Sequence, residues 1–539
     1  MTLGRADRQG DLLDDITRFC DQTLKETSIY SFLHRERDHL FPDEFFADLF
    51  TGTGRRSVPP SVVATVMVLQ RLEGLSDREA VERFTFDTRW RYAASVGGYD
   101  GEGRWSFVHT VLVEMRERLR NSDRPDRVFE VTRETAAAAG LVGRKRVLDS
   151  TPLYDAVATM DTITLIRSAL RNLLAVAGDM EAELRAACTS GDEYASTGKP
   201  GIDWDDTAAR EALIDTRARD ARACLAVLDG QALGDEAKQA AELLAAVTGQ
   251  DLEQGEDGVF RIARRVAKDR IISTVDSDAR HGHKTSARGF DGYKGHISID
   301  PDSEIITATA VTAGNIGDAD GAGELLDECL PPDNDVIGDT GVAPRESDTA
   351  DQLSVYGDCA YGAGELLARL DTAGARPMAK VQRPVNTNGR FTKERFTIDL
   401  NGGTVSCPNN ITTAIAFSKD GGGVASFGLA CRTCPLREQC TASADGRSIK
   451  VGPHEALLAA ERERQKDPAW RQEYRETRPK VERKIGHLMR RRHGGRNARV
   501  RGRARVAQDF SWLASARNLA RLAVLRVTFH TGGWAGVSE

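Results

Sequence analysis

Between Gly289 and Val311 the chain alternates Tyr293, Ile297 and Ile299 with Lys294, His296 and Ser298, turns at Pro301-Asp302-Ser303, and returns through Ile305 to Val311. Alternation with period two is the mark of a β-hairpin with one face against a core. The chain is thereby committed to a sheet, and shorter apolar runs read as further strands. Val147 and Leu148 lead into Asp149 and stop at Ser150-Thr151-Pro152, while Leu353 to Gly357 leads into Asp358. Each reads as a short buried strand that delivers a carboxylate at its end. Pro377 to Val381 is a plausible further strand, and a helix is expected over Asp318 to Cys329.

Around this sheet the pattern is helical. Residues 1–140 carry Pro59 to Glu73, opened by prolines suited to a first helical turn, then a capping box at Ser76-Asp-Arg-Glu79, then a helix over Trp105 to Leu119. With Arg55, Arg56, Arg78, Arg83, Arg89 and Arg91 around them, these helices suit either a DNA-contacting module or a bundle with solvated arginines. Residues 156–270 return to helical spacing and form an insertion too long for a loop. Residues 385–452 lose hydrophobic rhythm and gather Gly, Asn and Thr around four cysteines, a second insertion. Residues 453–539 are helical again, with one helix from Pro468 to Arg492 and another from Asp509 to about Arg526. Removing the insertions leaves a core from 141–155 and 271–384, completed by the C-terminal helices.

The formal net charge is -7 over 539 residues, yet Arg471 to Arg505 holds fourteen Arg or Lys against Glu473, Glu476 and Glu482. Nucleic-acid binding depends on where cations cluster, not on their sum. Val481, Ile485, Leu488 and Met489 have helical spacing, so the first half should pack on the core. Gly494 to Arg505 reads as a flexible phosphate clamp. The longest apolar run, Val62 to Leu69, is far shorter than the ~20 residues of a membrane span, so a cytoplasmic protein with no membrane partner is expected.

Three carboxylates, two from strand ends and Glu482 from a helix, can converge on a pair of hard cations such as Mg2+ or Mn2+. Two such metals activate an attacking oxygen and stabilise the leaving oxygen of a phosphodiester. Cys431-Arg-Thr-Cys434, with Cys440 following a five-residue spacer and Cys407 upstream, supplies four thiolates, enough for a tetrahedral structural Zn2+; the alternative is reduced cysteines packed in a loop region.

The ordered series VPPSVVATVMVLQRLEGLSDREAVERF, VLDSTPL, GFDGYKGHISID, TAGNIGDAD, YGDCAYG, CRTCPLREQC and YRETRPKVERKIGHLMRR resembles the DDE transposases of bacterial insertion sequences. The resemblance implies a mixed α+β and α/β fold: a ribonuclease H-like mixed sheet flanked by helices, with an N-terminal helical domain, a helical insertion and a Cys-rich insertion. It implies Asp149, Asp358 and Glu482 as the catalytic, metal-binding triad. Arg478, Arg490, Arg491, Arg492, Arg501, Lys294 and His296 are the candidate DNA contacts; the last two share a strand face that either reaches phosphate near Asp149 or is simply solvated. Tyr474 stands one position further from Arg478 than the family signature has it, and Met489 occupies the place of its lysine. The implied activity is cleavage of mobile-element ends and transfer of the 3'-OH into target DNA by at least a homodimer on double-stranded DNA. The alternatives are a non-cutting DNA-binding relative and a nuclease without strand transfer.

Overall fold

The computed structural model describes residues 1–3, 15–97, 106–330 and 352–536, apart from positions 157, 158, 199, 264, 266, 286, 386 and 420. Trp105, expected to open a helix, lies outside these residues; that helix runs Thr110–Arg120.

Six strands form the central sheet: β1 (Lys145–Tyr154), β2 (Arg280–Thr285), β3 (Arg288–Ile299), β4 (Ile306–Ala313), β5 (Ser354–Gly357) and β6 (Arg376–Ala379). Their order is β2-β3-β1-β5-β6, with β4 also paired to β3. β3 is antiparallel to β1 and to β4, whereas β5 and β6 are parallel to β1 and to each other. The expected helix after the hairpin is shorter than the sequence suggests, Ala322–Leu326.

Both faces of the sheet are covered. On one, Val147, Ile297, Ile299 and Tyr356 meet Val481, Ile485, Leu488, Phe510 and Leu513 from the C-terminal helices. On the other, Leu148, Ala308, Ala310 and Val355 meet Leu325, Leu326, Leu366 and Leu370. This is why the polar residues of the hairpin are not solvated: His296 and Ser298 are fully buried beside Ile297 and Ile299. A strand between two layers of helices has no water-facing side for its alternate residues.

β1 also runs past its expected end. Beyond Val147 it keeps β3 as a neighbour but loses β5, so Pro152 needs no hydrogen bond on its open side. Asp149 therefore sits mid-strand, not at a strand end.

The N-terminal helices pack round Pro60–Glu73, whose residues from Pro60 to Arg71 are all buried. The capping box at Ser76 and Glu79 forms as expected. Their core is shared with the last helix, Arg503–Val524, through Trp512, Ala516, Leu519 and Leu522. Phe510, Leu513 and Ala514 of the same helix face the sheet, so this one element joins the helical layer to the sheet. The helical insertion, Thr162–Val176, Thr207–Leu228 and Asp235–Asp251, has its own apolar core. The Cys-rich region is a five-stranded antiparallel sheet, not a loop region, over Thr397–Asp399, Thr404–Ser406, Thr412–Phe417, Gly423–Ser426 and Ser448–Val451. Four of its strands have only three or four residues, too few to show a period in the sequence. Among the described residues, no helix is long and apolar enough to cross a membrane.

Candidate active site

The sheet register brings the two aspartates together. Val147 pairs with Tyr356 across the parallel strands. Two residues further along each chain, Asp149 and Asp358 stand at the same level and on the same face, because side chains alternate with period two.

The third acid arrives on a helix that the sequence misreads as continuous. Pro468–Thr477 and Pro479–Leu488 are separate helices, broken at Arg478. Pro479 lacks an N–H and its ring crowds the preceding turn, which ends the first helix and begins the second. The second helix buries Val481, Ile485 and Leu488 against the face that carries Asp149, and this leaves Glu482 in its first turn at the sheet's surface. Glu476, on the first of these helices, is exposed and accepts from Gln472 Nε2 at 3.0 Å.

Arg478, at the break, meets all three acids. Its guanidinium nitrogens lie 3.0 Å from Asp149 Oδ1, 3.9 Å from Asp358 Oδ2 and 3.5 Å from Glu482 Oε1. A second contact to Asp149, Nη1 to Oδ2 at 3.3 Å, makes that pair bidentate. The Arg478 side chain is only 6% exposed, Asp149 15%, Asp358 47% and Glu482 64%. Burial pushes the Asp149 carboxyl above the usual carboxylate range, with Arg478 opposing the shift. Arg478 is thus a partner of the acids inside the site, not the outward phosphate contact expected of it.

Neighbouring residues hold these acids in place. Ser150 N–H donates to Asp149 at 2.9 Å and Ala360 N–H to Asp358 at 2.9 Å. The Tyr474 hydroxyl donates to the Gly357 carbonyl at 3.1 Å, and its ring stacks on Trp470 with centroids 5.0 Å apart. The displaced tyrosine of the signature therefore anchors the end of β5. Met489 packs against the core below the sheet.

Lys294 and His296 point to the opposite face from Asp149, since Asp149 is paired with Ile297 and its neighbours on β3 alternate. His296 is fully buried, donates or accepts at Thr312 Oγ1 over 2.8 Å, and cannot touch a DNA phosphate. Lys294 forms an ion pair with Asp318 at 2.9 Å, and Asp318 also accepts from Ser150 Oγ at 2.8 Å. Asp318 is the group that sequence reading missed; it sits in TAGNIGDAD, where an acid among small residues gives no local signal. Tyr361 was also missed. Its hydroxyl is buried without a partner, and its pKa is raised by burial, then by Asp318, Asp149 and Asp358.

The basic stretch continues as an ordered strap. His493 bonds through Nδ1 to the Leu72 carbonyl, and Arg71 donates to the His493 carbonyl at 2.5 Å. Gly74 ends the helix Pro60–Glu73 with φ +73° and lies so close to the Arg492 carbonyl that a Cβ there would collide with it. Further on, Tyr154 N–H donates to Arg496 O at 2.7 Å and Ala498 N–H to Tyr154 O at 2.8 Å. Asp276 and Asp278 receive the Gly502 and Arg503 N–H groups at 3.1 and 2.9 Å. These contacts replace the expected flexible clamp. Arg490, Arg491, Arg492 and Arg501 are exposed on the strap.

Cys407, Cys431, Cys434 and Cys440 line one small pocket with Phe391, Phe396 and Phe427. Arg447 N–H points at Cys431 Sγ over 3.4 Å, and burial raises the Cys440 thiol. As arranged, no three His, Cys, Asp or Glu side chains among the described residues are gathered tightly enough to hold a metal ion. At the acids, Arg478 takes the position a cation would need.

A family model described as Transposase DDE domain matches residues 406–523, and a second, described as Transposase domain (DUF772), matches residues 18–118. Both matches support an insertion-sequence DDE transposase. The first covers the four cysteines, Arg478 and Glu482, and the second covers the helices onto which the basic strap docks. No curated protein and no solved structure matches the chain.

Proposed function

We propose that this transposase cuts the ends of its mobile element and joins the freed 3'-OH to target DNA at Asp149, Asp358 and Glu482. The observation that carries this reading is the presence of all three carboxylates within 4 Å of one guanidinium, although they come from residues 149, 358 and 482. The strand order, with one antiparallel hairpin on one side of β1 and two parallel strands on the other, supports a ribonuclease H-like core.

The donor set suits Mg2+ or Mn2+, which favour carboxylate oxygens. Asp149, Asp358 and Glu482 would hold the metal, and Arg478 would have to swing aside to admit it. When bound, the cations supply an activated oxygen nucleophile and stabilise the leaving oxygen. The chain's own residues supply the positioning. Sheet register and the Ser150 and Ala360 N–H groups fix the two aspartates, Tyr474 fixes the end of β5, and the exposed Arg490 to Arg492 and Arg501 hold phosphates. Two DNA ends held together require at least two copies of the chain. The four thiols fit a structural Zn2+ in number and type, and tightening of their pocket would complete a tetrahedral site.

The test is end cleavage in Mg2+ by Asp149→Ala and Asp358→Asn. The reading requires both to lose cleavage while still binding end DNA; intact cleavage would refute it. A wild-type chain that binds ends without nicking would be a non-cutting relative. Nicking without joining of supplied ends to a plasmid would mark a nuclease.

A further inference from the structure

A second site lies on the flank of Asp358. Lys380, Arg383, Arg462, Arg471 and Arg475 line a pocket with Gln465 and the stacked Trp470 and Tyr474, and no carboxylate lines it. Its cations are poorly compensated from within the protein. Lys380 Nζ sits over the Tyr474 ring, 4.7 Å from the centroid. Arg471 and Arg475 spend only Nε, on the Gln465 and Arg471 carbonyls at 2.9 and 3.1 Å. Arg462 reaches Glu455 at a loose 3.6 Å. Gathering five like charges around one cavity is unfavourable unless an anion shares it.

Independent of charge, three of the lining residues carry buried donor groups with no acceptor among the described residues. Trp470 is only 6% exposed, and its Nε1–H has no partner among the described residues. Gln465 Nε2 and Arg462 Nε are buried and equally without one. Buried donors are nearly always satisfied, so three around one cavity call for an acceptor-rich occupant. Phosphate oxygens meet both requirements. The pocket adjoins the active site, because Lys380 N–H donates to the Gly357 carbonyl at 3.3 Å and Tyr474 donates to the same oxygen.

We infer that this pocket binds a backbone phosphate of the DNA strand beside the one cut at Asp358, with Trp470 Nε1–H as a direct donor and Lys380 and Arg383 as its outer cations. The inference rests on the reading of DNA as substrate. It assigns the pocket a positioning role, since its residues would fix the strand and not act on the reacting atoms.

Two measurements on the full chain test it. The first is duplex end-DNA affinity across a salt series for wild type, Lys380→Ala/Arg383→Ala and Trp470→Phe, with Arg210→Ala/Lys238→Ala on the helical insertion as a control of equal charge change. The pocket pair should bind at least tenfold more weakly at low salt, with a log–log salt slope flatter by about two, while the control stays within about twofold. Trp470→Phe keeps the stacked ring and should lose about tenfold, with its slope unchanged. A pocket pair no weaker than the control overturns the proposal and leaves the DNA reading standing.

The second measurement follows the six tryptophan indole N–H resonances, with that of Trp470 assigned by its loss in Trp470→Phe. Addition of a short oligonucleotide should move it. A nucleoside 5'-monophosphate that moves it equally marks a site for phosphate of any source, and one that does not marks a site for the backbone. An indole unmoved by either contradicts the proposal, whether or not the chain cuts DNA.

Discussion

The acid cluster and the cysteine cluster each gather groups that are distant in sequence, but they are held together differently. Asp149 and Asp358 stand on adjacent strands of a sheet buried on both faces, and Glu482 on a helix with its apolar side in the same core. Their charge is balanced internally by Arg478. The four thiols hang on turns and single-turn helices round a small core of Phe396, Val405, Ile415 and Phe427. The difference teaches that the acids are brought together by the fold with a cation of the chain's own among them, whereas the thiols share a pocket without being drawn into one cluster.

The largest effects should separate the two. Asp149→Ala should lower end cleavage by about a thousandfold or more, as loss of a group essential to the chemistry does, while thermal unfolding shifts by no more than a few degrees. Cys431→Ser/Cys434→Ser, or a Zn2+-selective chelator on wild type with Mg2+ kept in excess, should do the reverse. The Cys-rich sheet should become protease-sensitive, since apparent Zn2+ binding energies of about 10 kcal/mol or more are folding energy in such sites. Zinc analysis should find one ion per wild-type chain; if it finds none and the chelator has no effect, the contrast fails at the cysteines.

Arg478→Ala sharpens the other side of the comparison. It leaves Asp149 buried beside two further acids without their cation, and should cost about 3–5 kcal/mol in urea unfolding. Restoration of much of that stability by millimolar Mg2+ would show that a metal can take over the role of Arg478.

A smaller effect concerns the strap that ties the helix carrying Glu482 to the N-terminal helices. Burial lowers His493 to about 4. The folded state therefore holds fewer protons than the unfolded chain between roughly pH 6.5 and 4, and stability should fall as pH drops through that window. The loss should be about 2–3 kcal/mol, and His493→Gln should flatten the slope in acid unfolding curves. Smallest is Tyr474→Phe, which removes the bond to the Gly357 carbonyl and should cost about 1 kcal/mol.

Much of this arrangement was legible in the sequence where it depends on local pattern. The alternation from Tyr293 to Ile299 announced β3, and the apolar runs before Asp149 and Asp358 announced their strands. The face of each strand residue was not legible. Burial of both sides of the sheet hides His296 inside the protein and turns Lys294 toward Asp318, and no residue in the hairpin signals the second layer of helices. Arg478 was read as a phosphate contact because its helical spacing from Glu482 was visible, while its approach to Asp149 depends on a chain reversal between residues 149 and 478. The long-range bonds from Asp276 and Asp278 to Gly502 and Arg503 were not foreseeable, so the strap they order looked flexible.

The central claim is that Asp149, Asp358 and Glu482 form one cation site. It is tested most directly by replacing Mg2+ with Fe2+ and mapping where hydroxyl radicals made at the bound ion cut the polypeptide. The account predicts cuts near residues 149, 358 and 482 together, all suppressed by excess Mg2+ and all lost in Asp358→Asn. Cuts confined to one of these segments, or a pattern unchanged in Asp358→Asn, would contradict it.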